Sequence, residues 1–110
     1  MKYSVAPLSY IFVVVSFTLS FAGDAVTIGA LTGGVMGKGI FCGFNETDEI
    51  AVLSGRALKG NSLSKEDESS AVKQFMLTAR LTASVGPQGE SCTEFRAGYE
   101  DVLNQLRRKY

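Results

Sequence analysis

The longest run of apolar positions in this chain lies close to its N-terminus, between Tyr10 and Phe21. Lys2 gives the segment a positive start, ahead of the apolar run. Ser20 and Ala22 place small residues at the two positions that a signal peptidase recognises. A short cationic start, an apolar middle and a small-residue end are together typical of a secretory signal peptide.

The length of the apolar run separates a cleaved signal from a membrane anchor. A transmembrane helix needs roughly 20 continuous apolar residues, and the run here is about half as long. We therefore predict a signal peptide over residues 1–22 and a single mature domain over residues 23–110. Cleavage after Ala25 is the alternative, because Gly23 and Ala25 are also small.

After the signal, the chain is apolar and rich in glycine, and we predict a first helix over about residues 25–37, ending near Gly39. Gly29, Gly33 and Gly37 are spaced by four. On a helix this spacing aligns them along one face, where another backbone can approach closely. Each glycine also weakens a helix by roughly 1 kcal/mol relative to alanine, so the row needs an explanation.

Three explanations compete for the glycine row. The first is a buried helix that packs closely against its neighbours inside the domain. The second is a self-associating or membrane-inserting stretch, in which Gly29, Gly33 and Gly37 form an interaction face. The third, a phosphate-binding loop, is disfavoured because Gly39 follows Lys38 where the GxxxxGK[ST] pattern requires serine or threonine.

Three further helices are predicted from apolar residues at helical spacing, over about residues 48–59, 65–85 and 91–109. Thr47 and Ser64 are expected to cap the first two of them, and Gly86 precedes a proline that ends the 65–85 helix. The predicted buried face of that helix consists of Val72, Phe75, Met76, Leu77, Ala79, Leu81 and Ala83. Together the segments predict an all-α fold, a small four-helix bundle.

The mature domain holds the chain's two cysteines, Cys42 and Cys92. In an exported domain such a pair predicts one disulfide, with free thiols as the alternative. Closing a loop of about fifty residues stabilises a fold by about 4 kcal/mol in the chain-entropy model. The bridge would join the end of the first helix to the start of the fourth.

Composition argues against several kinds of chemistry. The chain has no histidine, so the usual general base and the commonest zinc ligand are missing. Its 11 basic and 11 acidic residues give zero net charge, which argues against nucleic acid and against electrostatic attachment to membranes. The carboxylates mostly occupy helix caps and polar faces. We expect no enzyme, no cofactor and no metal site.

Binding to another protein is the remaining class of function. We expect an exported domain, periplasmic or secreted, whose partner is another exported or envelope protein and which meets the membrane only through its signal. An inhibitor or immunity protein against a secreted hydrolase is the first hypothesis. The alternatives are a self-associating structural or chaperone-like envelope protein, as a homodimer or larger assembly, and an accessory subunit of a secretion system.

The layout resembles that of small periplasmic immunity proteins, which neutralise peptidoglycan amidases delivered by bacterial type VI secretion systems. The resemblance lies in the signal peptide, in the early cysteine of the sequence Phe41-Cys42-Gly43, and in the late cysteine, Cys92, that opens the last helix. It implies a helical, disulfide-linked inhibitor without catalytic residues of its own. The glycine row departs from that pattern, so the resemblance assigns no binding residues.

Overall fold

The computed structural model describes residues 24–110, which form four α-helices. Their bounds are α1 Ala25–Phe41, α2 Thr47–Asn61, α3 Lys65–Val85 and α4 Cys92–Lys109. Residues 24–110 contain no strand, and the prediction of an all-α four-helix bundle is confirmed. The predicted signal peptide lies outside the described residues.

The four helices form three layers, with α1 and α2 in the middle. Helix α3 packs along α1 on one side and touches α2, whereas α4 packs on α2 and α1 from the other side. Across residues 24–110, α3 and α4 make no contact with each other. One outer helix can therefore change without directly disturbing the other.

Side chains from α1, α2 and α4 fill the hydrophobic core. From α1 come Ile28 and Val35; from α2, Ile50, Leu53, Ala57 and Leu58; from α4, Phe95, Tyr99, Val102, Leu103 and Leu106. Most of these residues are three, four or seven positions apart, so each helix buries one stripe. Helix α3 adds one fully buried residue, Ala71, with Phe75 partly buried against it, because it is attached to α1 by a different kind of contact.

The starts of α1, α3 and α4 are fixed by polar side chains. The Thr27 N–H donates to Asp24 Oδ1 at 2.8 Å, and the Asp67 N–H donates to Ser64 Oγ at 3.0 Å. A complete capping box occurs at α4, where Ser91 and Glu94 each accept a hydrogen bond from the other's backbone N–H. Such caps satisfy N–H groups that have no partner within the helix.

Three predicted boundaries were wrong, and the simplest is the end of α2, which lies at Asn61 and not at residue 59. Helix α1 continues to Phe41, past the predicted end near Gly39, because Gly39 is buried against the ring of Tyr99 and its lack of a side chain allows that approach. Thr47 is the first residue of α2 instead of its cap. A Cβ on Gly39 would lie 3.1 Å from the Thr47 methyl carbon, so the Thr47 side chain packs on α1 and does not cap α2.

Candidate functional site

The glycine row lies against α3. A Cβ added to Gly29 would come within 2.5 Å of the Ala71 carbonyl oxygen, and one added to Gly33 or Gly37 would collide with the backbone at Phe75 or Ala79. Successive glycines thus meet successive turns of α3 in the same direction, so α1 and α3 run parallel with matching four-residue rows. We call this contact the glycine seam.

The seam occupies the predicted interaction face. Gly29, Gly33 and Gly37 are all buried, and the atoms that cover them belong to α3 of the same chain. This arrangement agrees with the first explanation of the row, a buried helix packed closely against its neighbour. A second molecule could reach this face only by displacing α3.

Helix α3 carries large apolar side chains on both sides of the seam, and they are exposed. The prediction that they form a buried face was wrong for Val72, Met76, Leu77 and Leu81, whose exposed fractions are 38%, 51%, 52% and 63%. The physical reason is the seam itself. Because the two backbones approach so closely, the residues between them must be small, and the long side chains are left on the flanks.

On one flank of the seam, an apolar groove of about 530 Å³ lies between α1, α2 and α3. Its lining consists of Met36 and Ile40 from α1, Gly55 and Leu58 from α2, and Val72, Phe75, Met76, Ala79, Arg80 and Ala83 from α3. Pockets of this size with mostly apolar linings are the usual sites of ligand binding. Exposed apolar patches on soluble proteins also mark surfaces that bind other molecules.

The groove was not predicted from the sequence. A signal was present, because the apolar residues of α3 spread over more of the helix circumference than one neighbouring helix can cover. Val72 and Met76 lie on one side of the helix, and Leu77 and Leu81 lie on the other, as expected from 3.6 residues per turn. Nothing in the sequence indicated that α2 would leave Gly55 open beside this face.

The disulfide between Cys42 and Cys92 is present, with the two Cα atoms 5.6 Å apart. This confirms the predicted pair and its position between the end of α1 and the start of α4. The bridge ties the end of α1, two residues past the groove-lining Ile40, to the first residue of α4. Within the described residues no cysteine is free.

A polar cluster joins α4 to the start of α2. Arg96 donates to Glu46 at 3.0 Å and to Glu100 at 2.8 Å, and its guanidinium lies 4.5 Å from the ring centroid of Phe44. The hydrogen bond from Arg96 lowers the pKa of Glu46 below its ordinary value, and its bonds to Glu46 and Glu100 raise the pKa of Arg96. A carboxylate held ionised in this way is a poor proton donor near neutral pH.

Further along α4, Arg107 donates to both carboxylate oxygens of Glu49 at 2.7 Å. This bidentate geometry suits guanidinium and carboxylate, and it lowers the pKa of Glu49 through the hydrogen bonds from Arg107. Glu46 and Glu49 therefore link the start of α2 to α4 through ion pairs.

Tyr99 lies beneath the Arg96 cluster and is completely buried. Its hydroxyl has no hydrogen-bond partner among the described residues, and burial raises its pKa to about 12. A phenol with so high a pKa is a weak acid, and it lies inside the core without access to a substrate. We find no chemistry that this residue could perform.

Residues 24–110 contain no cluster of three or more metal-ligating side chains. None of the helices in this range combines the length and the hydropathy that a membrane span requires. Comparison of the chain with models of known protein families, with curated proteins and with solved structures gives no match. The groove and the scaffold that presents it are therefore the features of the described residues that bear on function.

Proposed function

We propose that this protein is an exported, non-enzymatic domain that binds another protein through the groove. The observation that carries the proposal is the open apolar groove between α1, α2 and α3 on a scaffold that is otherwise tightly held. Exposed apolar surface costs solubility, and it is typical of a surface that a partner covers. The residues that line it include two methionines, Met36 and Met76, whose flexible side chains adapt to irregular partners.

The disulfide supports export. Bridges of this kind persist in oxidising compartments and are rare in the cytosol. An N-terminal sequence with the pattern of a signal peptide supports the same conclusion independently. We therefore propose that the mature domain lies in a periplasm or outside the cell.

An inhibitor or immunity protein is the form of this function that we favour. Inhibitors bind tightly when little conformational freedom remains to be lost on association. The glycine seam and the disulfide both restrict the movement of the helices beside the groove, and such a protein needs no catalytic residues. An exported hydrolase is the class of partner that this hypothesis implies.

The test begins with fractionation and intact mass. We expect the chain in the exported fraction with its N-terminus at Gly23, and a mass two hydrogens lower than after reduction. Capture with the oxidised domain should then recover a stoichiometric complex with an exported hydrolase, whose activity falls when purified domain is added. A cytosolic, uncleaved chain would contradict export, and a captured hydrolase that keeps full activity would contradict inhibition.

Self-association is the second candidate, and the other flank of α3 favours it. Leu77, Leu81 and Val85 recur every four residues and are all about half exposed or more. Such a stripe can pair with its copy in a second molecule. We expect dimers in sedimentation that Leu81→Lys converts to monomers; a monomeric parent protein would exclude this candidate.

A further inference from the structure

The groove has a charged rim as well as an apolar floor. Arg80 is the one charged residue among those that line it. Lys73 lies on the same side of α3, three residues before Met76 and seven before Arg80, and Lys59 follows Leu58 on α2. All three cations are exposed. The rim of the groove is therefore basic, although the whole chain has no net charge.

These cations are without partners inside the domain. The ion pairs formed within residues 24–110 join Arg96 to Glu46 and Glu100, and Arg107 to Glu49. All of them lie on the α4 side. Arg80, Lys73 and Lys59 thus remain available to a molecule outside.

The acids closest to the groove by helical position lie beyond its ends. Glu68 precedes Val72 by one turn of α3, and Asp48 precedes Gly55 by two turns of α2. Neither is among the lining residues. The charge beside the apolar floor is therefore positive along most of its length.

The dimensions of the groove suit a helix. Its lining on α3 runs from Val72 to Ala83, and the eleven steps between these residues span roughly 16 Å at 1.5 Å per residue. That length equals about three helical turns, and helices that dock in apolar grooves bury anchors at positions i, i+3, i+4 and i+7. The exposed side of Gly55, where an added Cβ would meet no atom within 4 Å, leaves room for such an anchor.

We infer that the groove binds an acidic amphipathic helix of a partner protein, with an apolar stripe of about three turns on the floor and carboxylates against Arg80, Lys73 and Lys59. This inference rests on the proposed function and specifies the partner's chemistry. An anionic membrane would share the charge, but a concave groove between helices cannot lie flat on a bilayer surface as an amphipathic helix does.

The probes are two alanine-based peptides of about 18 residues, long enough to form helix in isolation. Both carry leucine at positions i, i+3, i+4 and i+7; one has glutamate and the other lysine beside the leucines. We expect the oxidised domain to bind the glutamate peptide about ten-fold more tightly, with a preference that shrinks at high salt. Equal binding, or dissociation constants above about 1 mM for both, would overturn the inference.

Two variants test whether binding occurs in the groove. Gly55→Leu fills it from α2, whereas Gly98→Leu is the matched control on α4, since an added Cβ at either glycine meets no atom within 4 Å. We expect Gly55→Leu to abolish peptide binding while Gly98→Leu leaves it unchanged. Unchanged binding by Gly55→Leu would contradict the groove as the site.

The double variant K73E/R80E tests the charge of the rim. It should reverse the preference and bind the lysine peptide.

Two further measurements, vesicle binding and capture of a partner by K73E/R80E, distinguish failure of the acidic-helix inference from failure of the proposed function. Vesicles of phosphatidylcholine with phosphatidylglycerol should not bind the domain more than vesicles of phosphatidylcholine alone; stronger binding that Gly55→Leu removes would overturn the peptide assignment in favour of a lipid surface. Capture of a partner by the parent domain, unaffected by K73E/R80E, would contradict the acidic helix and leave the proposed function intact.

Discussion

The two outer helices of this protein are attached in opposite ways. Helix α3 is held to α1 through the absence of side chains, because Gly29, Gly33 and Gly37 let the two backbones meet. Helix α4 is held through their presence, with its large apolar side chains buried in the core and a disulfide at its start. The first contact depends on shape alone, while the second combines burial, charge and a covalent bond.

The difference explains where the groove lies. Close backbone approach leaves the long side chains of α3 on its flanks, so Val72 and Met76 remain open to solvent. On α4 the corresponding stripe turns inward and leaves a polar outer surface. A tightly packed helix can therefore present apolar surface without being loosely held, and this is the combination that a binding domain needs.

Removing the disulfide should have the largest effect, and it should fall on α4. The double variant C42S/C92S loses the constraint of a loop of 50 residues, which the chain-entropy model values at about 4 kcal/mol. We expect this loss in urea unfolding. Hydrogen exchange should show the amides of α4 losing protection before those of the seam. Equal loss in both regions would show that the bridge does not stabilise α4 in particular.

An alanine in the seam should have the next largest effect. At Gly33 the new Cβ would collide with the Phe75 carbonyl, and a backbone cannot move aside as a side chain can. Overpacking of this kind costs typically 1–3 kcal/mol, and we expect Gly33→Ala to lower the free energy of unfolding by about 3 kcal/mol, measured by urea denaturation.

The neighbouring glycine provides the control. A Cβ at Gly34 would lie 3.5 Å from the Thr78 methyl carbon, an ordinary contact. Gly34→Ala should therefore stabilise the fold by about 0.5–1 kcal/mol through helix propensity. If Gly33→Ala and Gly34→Ala changed the free energy of unfolding in the same direction, the seam would not be a close contact between backbones.

The α4 side was predictable because its pattern is regular. Phe95, Tyr99, Val102 and Leu106 recur at helical spacing, and each is buried as periodicity requires. The cysteine pair could also be predicted, since an exported domain with two cysteines has only one pairing. The buried face of a helix can therefore be predicted from the sequence when large apolar side chains form it.

The seam side was only half predictable. The spacing of Gly29, Gly33 and Gly37 indicated that another helix approaches closely. It did not indicate which of the other three helices does so. With α3 assigned a conventional buried face, Leu77 and Leu81 were expected inside. The tertiary arrangement decides which helix packs on the glycine face. The groove forms because that helix is α3, whose long side chains remain on the flanks of the seam.

Tyr99 provides a smaller test of the α4 side. Its pKa is raised to about 12, above the ordinary value of 10.0, so the folded state holds the phenolic proton more tightly than the unfolded state does. That contribution to stability is complete below pH 10 and is lost as the pH rises towards 12. We expect an alkaline decrease on the order of 2 kcal/mol in the free energy of unfolding.

Tyr99→Phe removes the titrating group and should abolish most of that alkaline decrease. At neutral pH the variant should be about 1 kcal/mol more stable, because the buried hydroxyl has no partner within the described residues. In a spectrophotometric titration of the tyrosines, the variant should lack the ionisation that the parent protein shows near pH 12. A parent protein in which Tyr99 titrates at its ordinary pKa of 10.0 would disagree with this burial.

The ion pairs of α4 should contribute least. Arg107 and Glu49 are both about half exposed, and water screens such pairs strongly. Since the pKa of Glu49 is lowered, the contribution is present above its ordinary value of 4.5 and disappears as the pH falls below it. A double-mutant cycle with Glu49→Gln and Arg107→Gln should give a favourable coupling at neutral pH that vanishes in acid and weakens with salt.

Arg108→Gln is the control for this cycle, since the neighbouring arginine forms no ion pair within residues 24–110, and it should show no coupling to Glu49. A coupling as large as the effect of Gly33→Ala would mean that charge holds α4 in place. A small one, together with a large effect of the disulfide, would show that α4 is held by its buried stripe and its covalent bridge, and that the charges set only its orientation against α2.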